Sequence, residues 1–368
     1  MKILITGTHF TPAQALIEQL NTLGLFEIVY VGRKSTREGD KTGSIESQVL
    51  PDLGVRFISL ISGRLARNFS VWTIISLLKL PFGFIQSFWI ILKEQPTVVV
   101  SFGGYLAFPI VFWSWWFSIP VVIHEQTLKL GLANWLSFPL ASKVALSFSN
   151  TKYHLQKKVE VTGNPVRLEM LHSAKPGAEV AGFLKIIKKP LLLVMGGNQG
   201  SHFINRLIGR NLAELTKQYV IVHQTGDSKY KDYEYLVEEQ KNVPSGTYLP
   251  KKWLQTEDLS AILEKTALVI SRAGMNTLYE LALREKQVLV IPIPAAINQE
   301  QLQNAKFFAK AQLGDFMTQG EITDQVFLHR LAGIMQGLDK FKAQKQTKNL
   351  FIPDGAQRLA QLVLSTAY

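Results

Sequence analysis

The hydrophobic and polar positions of this chain follow the same order twice: a short apolar run, a glycine turn and then an amphipathic stretch. The first run covers Lys2 to Thr6 and ends at Gly7, and the second covers Leu191 to Met195 and ends at Gly196 and Gly197. A short apolar run that breaks into glycine is typical of a buried parallel strand, and the stretch that follows predicts a helix. The two runs therefore predict two α/β units.

Strand-like and helix-like segments go on alternating in each half. In the first half, the pattern predicts strands at residues 3–5, 27–31, 97–101, 120–123, 143–146 and 158–162, and helices at 12–23 and 106–118. In the second half, it predicts strands at residues 191–195, 219–223, 267–271 and 287–292, and helices at 202–215, 276–284, 300–311 and 356–367. This alternation is typical of doubly wound parallel sheets. The expected fold class is α/β, with two Rossmann-like domains facing each other across a cleft.

The domain boundary is expected where a strand gives way to turn residues. Gly163, Asn164 and Pro165 follow the strand predicted at 158–162, and such a cluster marks a turn. Residues 1–163 are predicted to form an N-terminal domain and residues 164–351 a C-terminal domain, with a C-terminal helix at 352–368 joining the first domain. Each domain is long enough to bury its own core.

The amino-acid composition limits the classes of molecule that the protein is expected to bind. The formal net charge is +12, which favours anionic partners such as anionic lipids or phosphorylated small molecules. No RNA- or DNA-binding module pattern is present, so nucleic acid is not expected as a partner. The chain has no cysteine, which excludes disulfides, thiolate nucleophiles and cysteine zinc sites. It also has no Asp-x-Asp motif, so no metal is expected, and no signal-peptide pattern opens it.

Two apolar stretches raise the question of membrane contact. Residues 71–92 are interrupted by Lys79 and Pro81, and the uncharged residues 105–123 are cut by prolines, which argues against spanning helices. The first stretch mixes cations with aromatic side chains, and this composition suits the headgroup layer of an anionic membrane. The alternative is one or two core helices with a proline-containing turn. The residues predicted to contact the membrane are Trp72, Lys79, Phe82, Phe84, Phe88 and Trp89.

The turn after the first strand, Thr6-Gly7-Thr8-His9, is a candidate anion site, because a helix N-terminus favours negative charge. His9 is a candidate general base, since a neutral imidazole needs little tuning near pH 7. The alternative is an ordinary histidine at a helix start. No dinucleotide fingerprint or Walker lysine accompanies this turn, which argues against NAD binding and ATP hydrolysis.

Further candidate loops follow other predicted strands. Gly196–Ser201 suits a diphosphate, although a tight strand–helix turn would have the same composition. Glu280, after the turn at Ser271–Gly274, is placed to accept the hydroxyls of a ribose or to interact with the helix dipole. His124 and Glu125 end a buried apolar strand, at the sheet edge where open sheets bind ligands.

Taken together, these motifs resemble the MurG family of GT-B glycosyltransferases. The resemblance rests on Gly103–Tyr105, Ile119–Gln126, Gly163–Arg167, Gly196–Ser201, Ser271–Gly274 and Pro294–Ala305. It implies an inverting, metal-independent transfer of N-acetylglucosamine from UDP-GlcNAc to the 4-hydroxyl of the muramoyl sugar of undecaprenyl-linked lipid I, which forms lipid II in peptidoglycan synthesis. No cofactor is implied beyond this donor substrate, and the implied location is the cytoplasmic side of the cell membrane, as a peripheral protein.

The resemblance also implies roles for individual residues. His9 is implied as the catalytic base, and Glu125 is our second choice. Acceptor or phosphate contacts are implied at Gly103, Gly104, His124 and Asn134. Donor contacts are implied at Thr6, Gly7, Thr8, Thr127, Arg167, Asn198, Thr256, Met275, Asn276, Thr277, Leu278, Tyr279, Glu280, Gln301 and Asn304.

Some positions depart from the family pattern. Thr8 replaces a glycine of the first loop and is expected to crowd the acceptor pyrophosphate or to alter the path of the loop, because a β-branched residue disfavours positive φ. Thr127 and Asn198 stand where the family has asparagine and serine. Two alternatives stay open: another GT-B enzyme with a lipid acceptor such as diacylglycerol, and a non-catalytic nucleotide-sugar-binding scaffold.

Overall fold

The computed structural model describes residues 1–34, 45–61, 63, 71–149, 156–171, 174–197, 200–294, 299–338 and 350–367, without the side chains of residues 45, 48, 71–78, 168 and 169. The chain divides into two compact units. The first contains Met1–Leu168 together with the C-terminal segment that begins at Ile352, and the second contains Glu169–Phe351.

The first unit is built on a seven-stranded parallel sheet. Its strands are β1 (Lys2–Thr6), β2 (Glu27–Gly32), β3 (Arg56–Ser59), β4 (Val98–Ser101), β5 (Val121–Glu125), β6 (Lys143–Leu146) and β7 (Val159–Val161). They lie in the order β3-β2-β1-β4-β5-β6-β7. Because the winding reverses between β1 and β4, the loops that leave these two strands diverge and open a crevice at their carboxyl ends.

Helices connect these strands. They are α1 (Phe10–Leu23), α2 (Ile45–Val49), α3 (Val71–Glu94), α4 (Ala107–Trp116) and α5 (Leu132–Ser137), followed by a 3₁₀ turn at Phe138–Leu140. Pro81 lies inside α3, so residues 71–94 form one helix and not two helices joined by a turn. Within the described part of the chain, no helix combines the length and the apolar character that crossing a bilayer requires.

The second unit repeats the plan with a six-stranded parallel sheet. Its strands are β8 (Leu191–Met195), β9 (Val220–Gln224), β10 (Tyr248–Lys251), β11 (Thr266–Ser271), β12 (Val288–Val290) and β13 (Gly314–Phe316), in the order β10-β9-β8-β11-β12-β13. Its helices are α6 (Leu168–Leu171), α7 (Ala178–Lys185), α8 (His202–Gln218), α9 (Asp232–Gln240), α10 (Thr256–Lys265), α11 (Met275–Leu283), α12 (Glu300–Lys310) and α13 (Asp324–Gln336). Here the winding reverses between β8 and β11.

The inner strands are continuous apolar runs because both of their faces are buried in hydrophobic cores. Successive side chains of a strand point to opposite faces, and in β1 Ile3 and Ile5 join one core while Leu4 joins the other. The last helix, α14 (Gly355–Thr366), packs Leu359 and Val363 into the core that holds Ile3 and Ile5. The chain therefore ends on the unit in which it began.

Candidate functional site

The first candidate cluster lies at the carboxyl ends of β1 and β4. Gly7 has a φ of +145°, and a Cβ there would come within 2.9 Å of Phe102. The Gly7 carbonyl accepts a hydrogen bond from the Tyr30 hydroxyl (3.1 Å), and the Thr8 N–H donates to the Gly103 carbonyl (3.1 Å). The loop after β1 is thus fixed against the loop after β4. The buried Thr6 hydroxyl donates to the Val31 carbonyl (3.1 Å), so it braces the sheet.

Thr8 fits this loop without the positive φ that would strain a β-branched residue. Gly7 takes the positive φ, and Thr8 is not among the described residues with that conformation. The space for the Thr8 side chain comes from Gly104, where a Cβ would lie 2.0 Å from Thr8 Oγ1. Thr8 therefore fills the volume above a glycine in the neighbouring loop.

His9 is half-buried and immediately precedes α1. Burial lowers the pKa of its imidazole to about 4, and the positive charge of Arg33 acts in the same direction. The side chain makes no hydrogen bond that caps α1. His9 is therefore neutral near pH 7, the protonation state that a proton acceptor needs.

His124 is fully buried at the end of β5. Its Nε2 lies 3.2 Å from the Gly163 carbonyl oxygen, which can only accept, so the hydrogen-bond pattern assigns the proton to Nε2. Nδ1 is then a bare acceptor, and no described group lies within hydrogen-bonding distance of it. Burial lowers the pKa of His124 to about 4. His124 thus presents an unused lone pair inside the cluster.

Glu125 fastens the segment that follows β5. Its Oε1 accepts from the Thr127 N–H (3.0 Å) and hydroxyl (2.7 Å), and its Oε2 accepts from the Gly131 N–H (2.9 Å) and from Asn134 Nδ2 (2.9 Å). Burial raises the pKa of the carboxyl, while these four hydrogen bonds oppose the rise. Four donors occupy the four lone-pair sites of a carboxylate. The geometry therefore favours a positioning role for Glu125 over that of a base.

Asn134 connects this segment to the glycine pair after β4. Its Nδ2 also donates to the His124 carbonyl (3.1 Å), and its amide stands so close to Gly103 that a Cβ there would be 3.0 Å away. Asn134 Oδ1 is buried and has no hydrogen-bond partner among the described residues. The structure thus brings together Thr8, Gly103, Gly104, His124 and Asn134 at one edge of the first sheet.

The second candidate site lies at the carboxyl ends of β8 and β11. A cavity of about 110 Å³ is lined by Gly196, Gly197, Ser271, Arg272, Gly274, Thr277, Ile293 and Gln301. Gly197 and Gly200 both have positive φ, and a Cβ at Gly200 would lie 1.9 Å from the Thr225 carbonyl oxygen. The Ser201 hydroxyl accepts from the Ile204 N–H (3.3 Å) and begins α8. Asn198 lies outside the described residues.

Arg272 is a cation in this cavity that the sequence reasoning did not select. Its Nη1 donates to the Ile291 carbonyl (2.9 Å) and to Gln319 Oε1 (2.7 Å), which are neutral acceptors. Burial lowers the pKa of the guanidinium to about 10. The sequence signal for it is a basic residue that directly follows a buried strand and stands two positions before Gly274, the N-cap of α11.

Side chains on α12 brace the turn that carries Arg272. Gln301 Oε1 accepts from the N–H groups of Ala273 (3.3 Å) and Ile293 (3.1 Å), and Gln301 lines the cavity. Asn304 is buried, and its Nδ2 donates to the Ala273 carbonyl (3.0 Å). Asn304 therefore acts on the turn, whereas Gln301 both holds the turn and faces the cavity.

The first turns of α11 expose few side chains to a ligand. Met275, Leu278 and Tyr279 are buried in the core, and Glu280 is also buried. Asn276 and Thr277 are half-buried, and Thr277 lines the cavity. The contacts predicted in this stretch would therefore come mainly from the backbone N–H groups of the first turn, Met275–Thr277, and from the Thr277 side chain, because the Leu278 N–H already donates to the Gly274 carbonyl (3.0 Å).

Of the predicted donor contacts, Thr6, Gly7, Thr8 and Thr127 lie in the first unit, and Arg167 and Thr256 are also absent from the cavity lining. Arg167 is half-buried near the end of the first unit, and Thr256 is half-buried as the first residue of α10. No group of His, Cys, Asp or Glu side chains suited to a metal ion occurs within the described ranges.

The predicted membrane-contact residues divide into two groups. Phe82 and Trp89 are exposed on α3. Phe84 and Phe88 are half-buried and pack on α4, with ring centroids 6.0 Å apart for Phe84 and Phe108 and 4.9 Å for Phe88 and Trp113. Lys79 is half-buried, and the Trp72 side chain lies outside the described residues. Exposed residues that had not been predicted extend this surface: Ile85, Trp115 and Trp116.

Comparisons with known proteins agree with these two units. The glycosyltransferase family 28 N-terminal domain matches residues 4–146, and the family 28 C-terminal domain matches residues 191–359. The fold superposes on the crystal structure of Acinetobacter baumannii MurG with a TM-score of 0.70 at 21% identity, covering 99% of both chains. A relative from Legionella pneumophila (strain Lens), named UDP-N-acetylglucosamine--N-acetylmuramyl-(pentapeptide) pyrophosphoryl-undecaprenol N-acetylglucosamine transferase, is 32% identical over 99% of this chain and 95% of its own length.

The chain belongs to the MurG family of glycosyltransferase family 28. A further member of the MurG family with the same descriptive name, from Clostridium tetani, is 31% identical over 98% of this chain and 97% of its own length. The fold is also shared outside the MurG family. UDP-GlcNAc 2-epimerase from Neisseria meningitidis, bound to UDP-GlcNAc, has a TM-score of 0.62 at 16% identity over 100% of this chain and 99% of its own.

Proposed function

We propose that this protein transfers N-acetylglucosamine from UDP-GlcNAc to the 4-hydroxyl of the muramoyl sugar of lipid I, forming lipid II for the cell wall. The reaction is a displacement at the anomeric carbon with inversion. The observation that carries the proposal is the cavity at β8 and β11, which joins the glycine turn at Gly196, the N-terminus of α11 and the Arg272 guanidinium. The full-length relatives that carry this activity in their names support the same donor and acceptor.

The donor diphosphate is assigned to the turn at Gly196–Ser201 and to Arg272. Backbone N–H groups at the start of α8 and of α11 would bind phosphate oxygens, because helix N-termini favour negative charge. Arg272 would supply a cation whose described partners are neutral groups. These groups would stabilise the charge that develops on UDP as it leaves.

The sugar and ribose of the donor are assigned to groups next to this turn. Thr277 and Gln301 line the cavity, and hydroxyl and amide groups both donate to and accept from sugar hydroxyls. Glu280 is assigned to the ribose hydroxyls, and Asn304 to holding the turn at Ala273. Thr6 and Thr127 are assigned structural roles, since their hydroxyls donate to Val31 and Glu125.

On the acceptor side, His9 is the proposed general base. In the free protein its low pKa keeps the imidazole neutral. The negative pyrophosphate of a bound acceptor would favour the imidazolium form, and would therefore raise the pKa of His9 towards the range in which proton transfer is efficient. His9 would take the proton of the attacking hydroxyl as the new bond forms. Gly103, Gly104, His124 and Asn134 would orient the acceptor beside it.

The lipid acceptor implies contact with a membrane. We assign this contact to a docking surface formed by the exposed side chains of Phe82, Ile85, Trp89, Trp115 and Trp116. Aromatic side chains are suited to the headgroup layer, and the net charge of +12 favours anionic lipid. The protein would then act as a peripheral protein on the cytoplasmic side of the cell membrane, where the lipid-linked acceptor and the soluble donor can meet.

The test is transfer from UDP-GlcNAc to a lipid I analogue in detergent, with the stereochemistry of the product determined. Product with inverted anomeric configuration and stoichiometric UDP release is the expected result. Transfer to diacylglycerol but not to the lipid I analogue would replace the proposal with the other lipid acceptor. Binding of UDP-GlcNAc without transfer to either acceptor would identify a non-catalytic scaffold.

A further inference from the structure

The short helix α5 has one polar buried side and one apolar exposed side. Asn134 and Ser137, three residues apart, are buried, and Asn134 belongs to the first candidate cluster. Leu132, Trp135 and Leu136 are exposed. Residues three apart lie on the same side of a helix, so the polar residues face the sheet and the apolar residues face away from it. One helix thus joins the proposed acceptor site to an apolar surface.

That apolar surface continues into a cavity. A cavity of about 260 Å³ is lined by Trp135, Leu136, Phe138 and Pro139, none of which carries a charge. Its lining begins one residue after Asn134, and it reaches about one helical turn further along the chain. A cavity of this size is below the roughly 300–1,000 Å³ of sites for drug-sized ligands. It suits a segment of hydrocarbon chain better than a sugar or a nucleotide.

A cation stands at the margin of this cavity. The Lys158 ammonium donates to the Phe138 carbonyl (2.6 Å) and lies 4.4 Å from the centroid of the Phe138 ring. The Phe138 ring is thereby held in place from one side. Helix α4 packs on α5 and on the 3₁₀ turn, and it also carries the exposed Trp115 and Trp116. The elements that line the cavity therefore pack on the helix that carries part of the docking surface, and one of them, α5, also carries Asn134 of the first candidate cluster.

We propose that this cavity binds the first isoprene units of the lipid-linked acceptor, the part of the polyprenyl chain next to the pyrophosphate. The inference rests on the proposed function, because it places the pyrophosphate beside Asn134. A chain that is covalently attached to the bound pyrophosphate enters a neighbouring cavity at a high effective concentration, which bilayer acyl chains do not have. Burial of its methyl and methylene groups against Trp135 and Leu136 supplies the affinity.

The test compares acceptors that differ only in chain length, in detergent micelles, for the wild type, Trp135→Ala and the control Trp116→Ala. Trp135 and Trp116 have similar exposure, 54% and 61%, so neither substitution is expected to disturb the core. In the wild type, KM should be lower for the undecaprenyl acceptor than for an analogue with a chain of only a few carbons. Trp135→Ala should raise KM for the undecaprenyl acceptor about tenfold and leave KM for the short-chain analogue and for UDP-GlcNAc unchanged. Leu136→Gln should act in the same direction, and Trp116→Ala should leave the chain-length preference intact.

A second measurement separates the polyprenyl chain from bilayer lipid. Trp116→Ala should weaken sedimentation with vesicles that contain anionic phospholipid, whereas Trp135→Ala should leave it unchanged. Loss of vesicle binding in Trp135→Ala with an intact chain-length preference would overturn the inference and make the cavity part of the docking surface.

A third measurement separates this inference from the proposed function. The affinity of undecaprenyl pyrophosphate, compared with that of inorganic pyrophosphate, does not depend on turnover. If the wild type transfers no sugar but prefers the undecaprenyl form in a Trp135-dependent manner, the cavity assignment stands and the proposed function fails. If transfer occurs and neither affinity nor KM depends on chain length, the cavity assignment fails alone.

Discussion

The Thr8 side chain fills the space that a side chain at Gly104 would need, beyond the carboxyl ends of the neighbouring strands β1 and β4. The Thr8 side chain lies where a Cβ of residue 104 would be, at 2.0 Å from Oγ1, while the Thr8 N–H donates to the carbonyl of Gly103. The two loops leave neighbouring strands, β1 and β4, so their residues meet only in the folded sheet. The Thr8 side chain thus depends on the absence of a side chain at residue 104.

The first prediction concerns this pair. Gly104→Ala should lower kcat/KM by roughly tenfold or more, because the new methyl group overlaps Thr8 and the φ of +83° costs a non-glycine residue about 1–2 kcal/mol. The double variant Thr8→Gly with Gly104→Ala should recover the part of the loss in kcat/KM that comes from the steric overlap. A double-mutant cycle on kcat/KM and on the free energy of unfolding measures the coupling.

Gly54 provides the matched control, because it also has a positive φ but a Cβ added there would have no neighbouring atom within 4 Å. Gly54→Ala should therefore show the backbone strain alone, without loss of activity. Additive effects of the Thr8 and Gly104 substitutions would contradict the shared volume.

The second prediction concerns the pH dependence of the reaction. If His9 is the base as we propose, its deprotonated form is the active one, so kcat/KM should fall as the pH falls through the pKa of free His9, at about 4. Arg33→Gln removes a positive charge that disfavours the imidazolium, so it should raise this pKa and move the acid limb to higher pH. His9→Ala should lower kcat by about a hundredfold or more and leave UDP-GlcNAc affinity unchanged.

Lys93→Gln is the control for Arg33→Gln, since Lys93 lies in the last turn of α3, next to Glu94, which pairs with Lys2 at the start of β1. Lys93→Gln also removes one positive charge, but at the amino ends of the strands, whereas His9 follows the carboxyl end of β1. An acid limb that is the same in the wild type and in Arg33→Gln, or near-normal turnover of His9→Ala, would exclude His9 as the base.

The third prediction separates positioning from proton transfer at Glu125. Glu125→Gln turns one carboxylate oxygen into a donor, which must then face the N–H of Gly131 and the amide of Asn134 or the two donors of Thr127. A loss of about 1–3 kcal/mol in the free energy of unfolding is expected, because buried donors lose their acceptor. KM for the acceptor should rise, and the acid limb of kcat/KM should stay where it is.

Thr127→Val is the graded control, because it removes the hydroxyl that Glu125 Oε1 (2.7 Å) and the Lys129 carbonyl (2.6 Å) share as a donor, and keeps the Thr127 N–H that donates to Glu125. A smaller loss of stability is expected. If Glu125→Gln kept normal stability but abolished the pH dependence of turnover, Glu125 would be the base.

The sequence predicted the two sheets because their inner strands are continuous apolar runs. The edge strand β7 is predicted because Val159 and Val161 alternate with polar residues. The edge strands β3, β10 and β13 are not predicted, since Arg56–Ser59, Tyr248–Lys251 and Gly314–Phe316 show neither an apolar run nor a regular alternation. The shared volume of Thr8 and Gly104 depends on the register of β1 against β4, which a single sequence does not reveal. Likewise, the four donors on Glu125 come from residues that only the fold of the 127–134 segment brings together.

The last prediction concerns Arg272, which lines the cavity at the carboxyl ends of β8 and β11. Arg272→Gln removes the cation of the cavity and should weaken UDP binding by about tenfold or more, since hydrogen bonds to charged groups contribute roughly 1.5–3 kcal/mol. Uridine lacks the phosphates, so its affinity should change little.

Arg284→Gln is the matched control, because Arg284 also donates to a backbone carbonyl, that of Ser260, and does not line the cavity. Titration calorimetry with UDP and uridine measures both. An equal loss for the two ligands would mean that Arg272 only holds the turn, through Ile291 and Gln319, and that the diphosphate is bound by backbone groups alone.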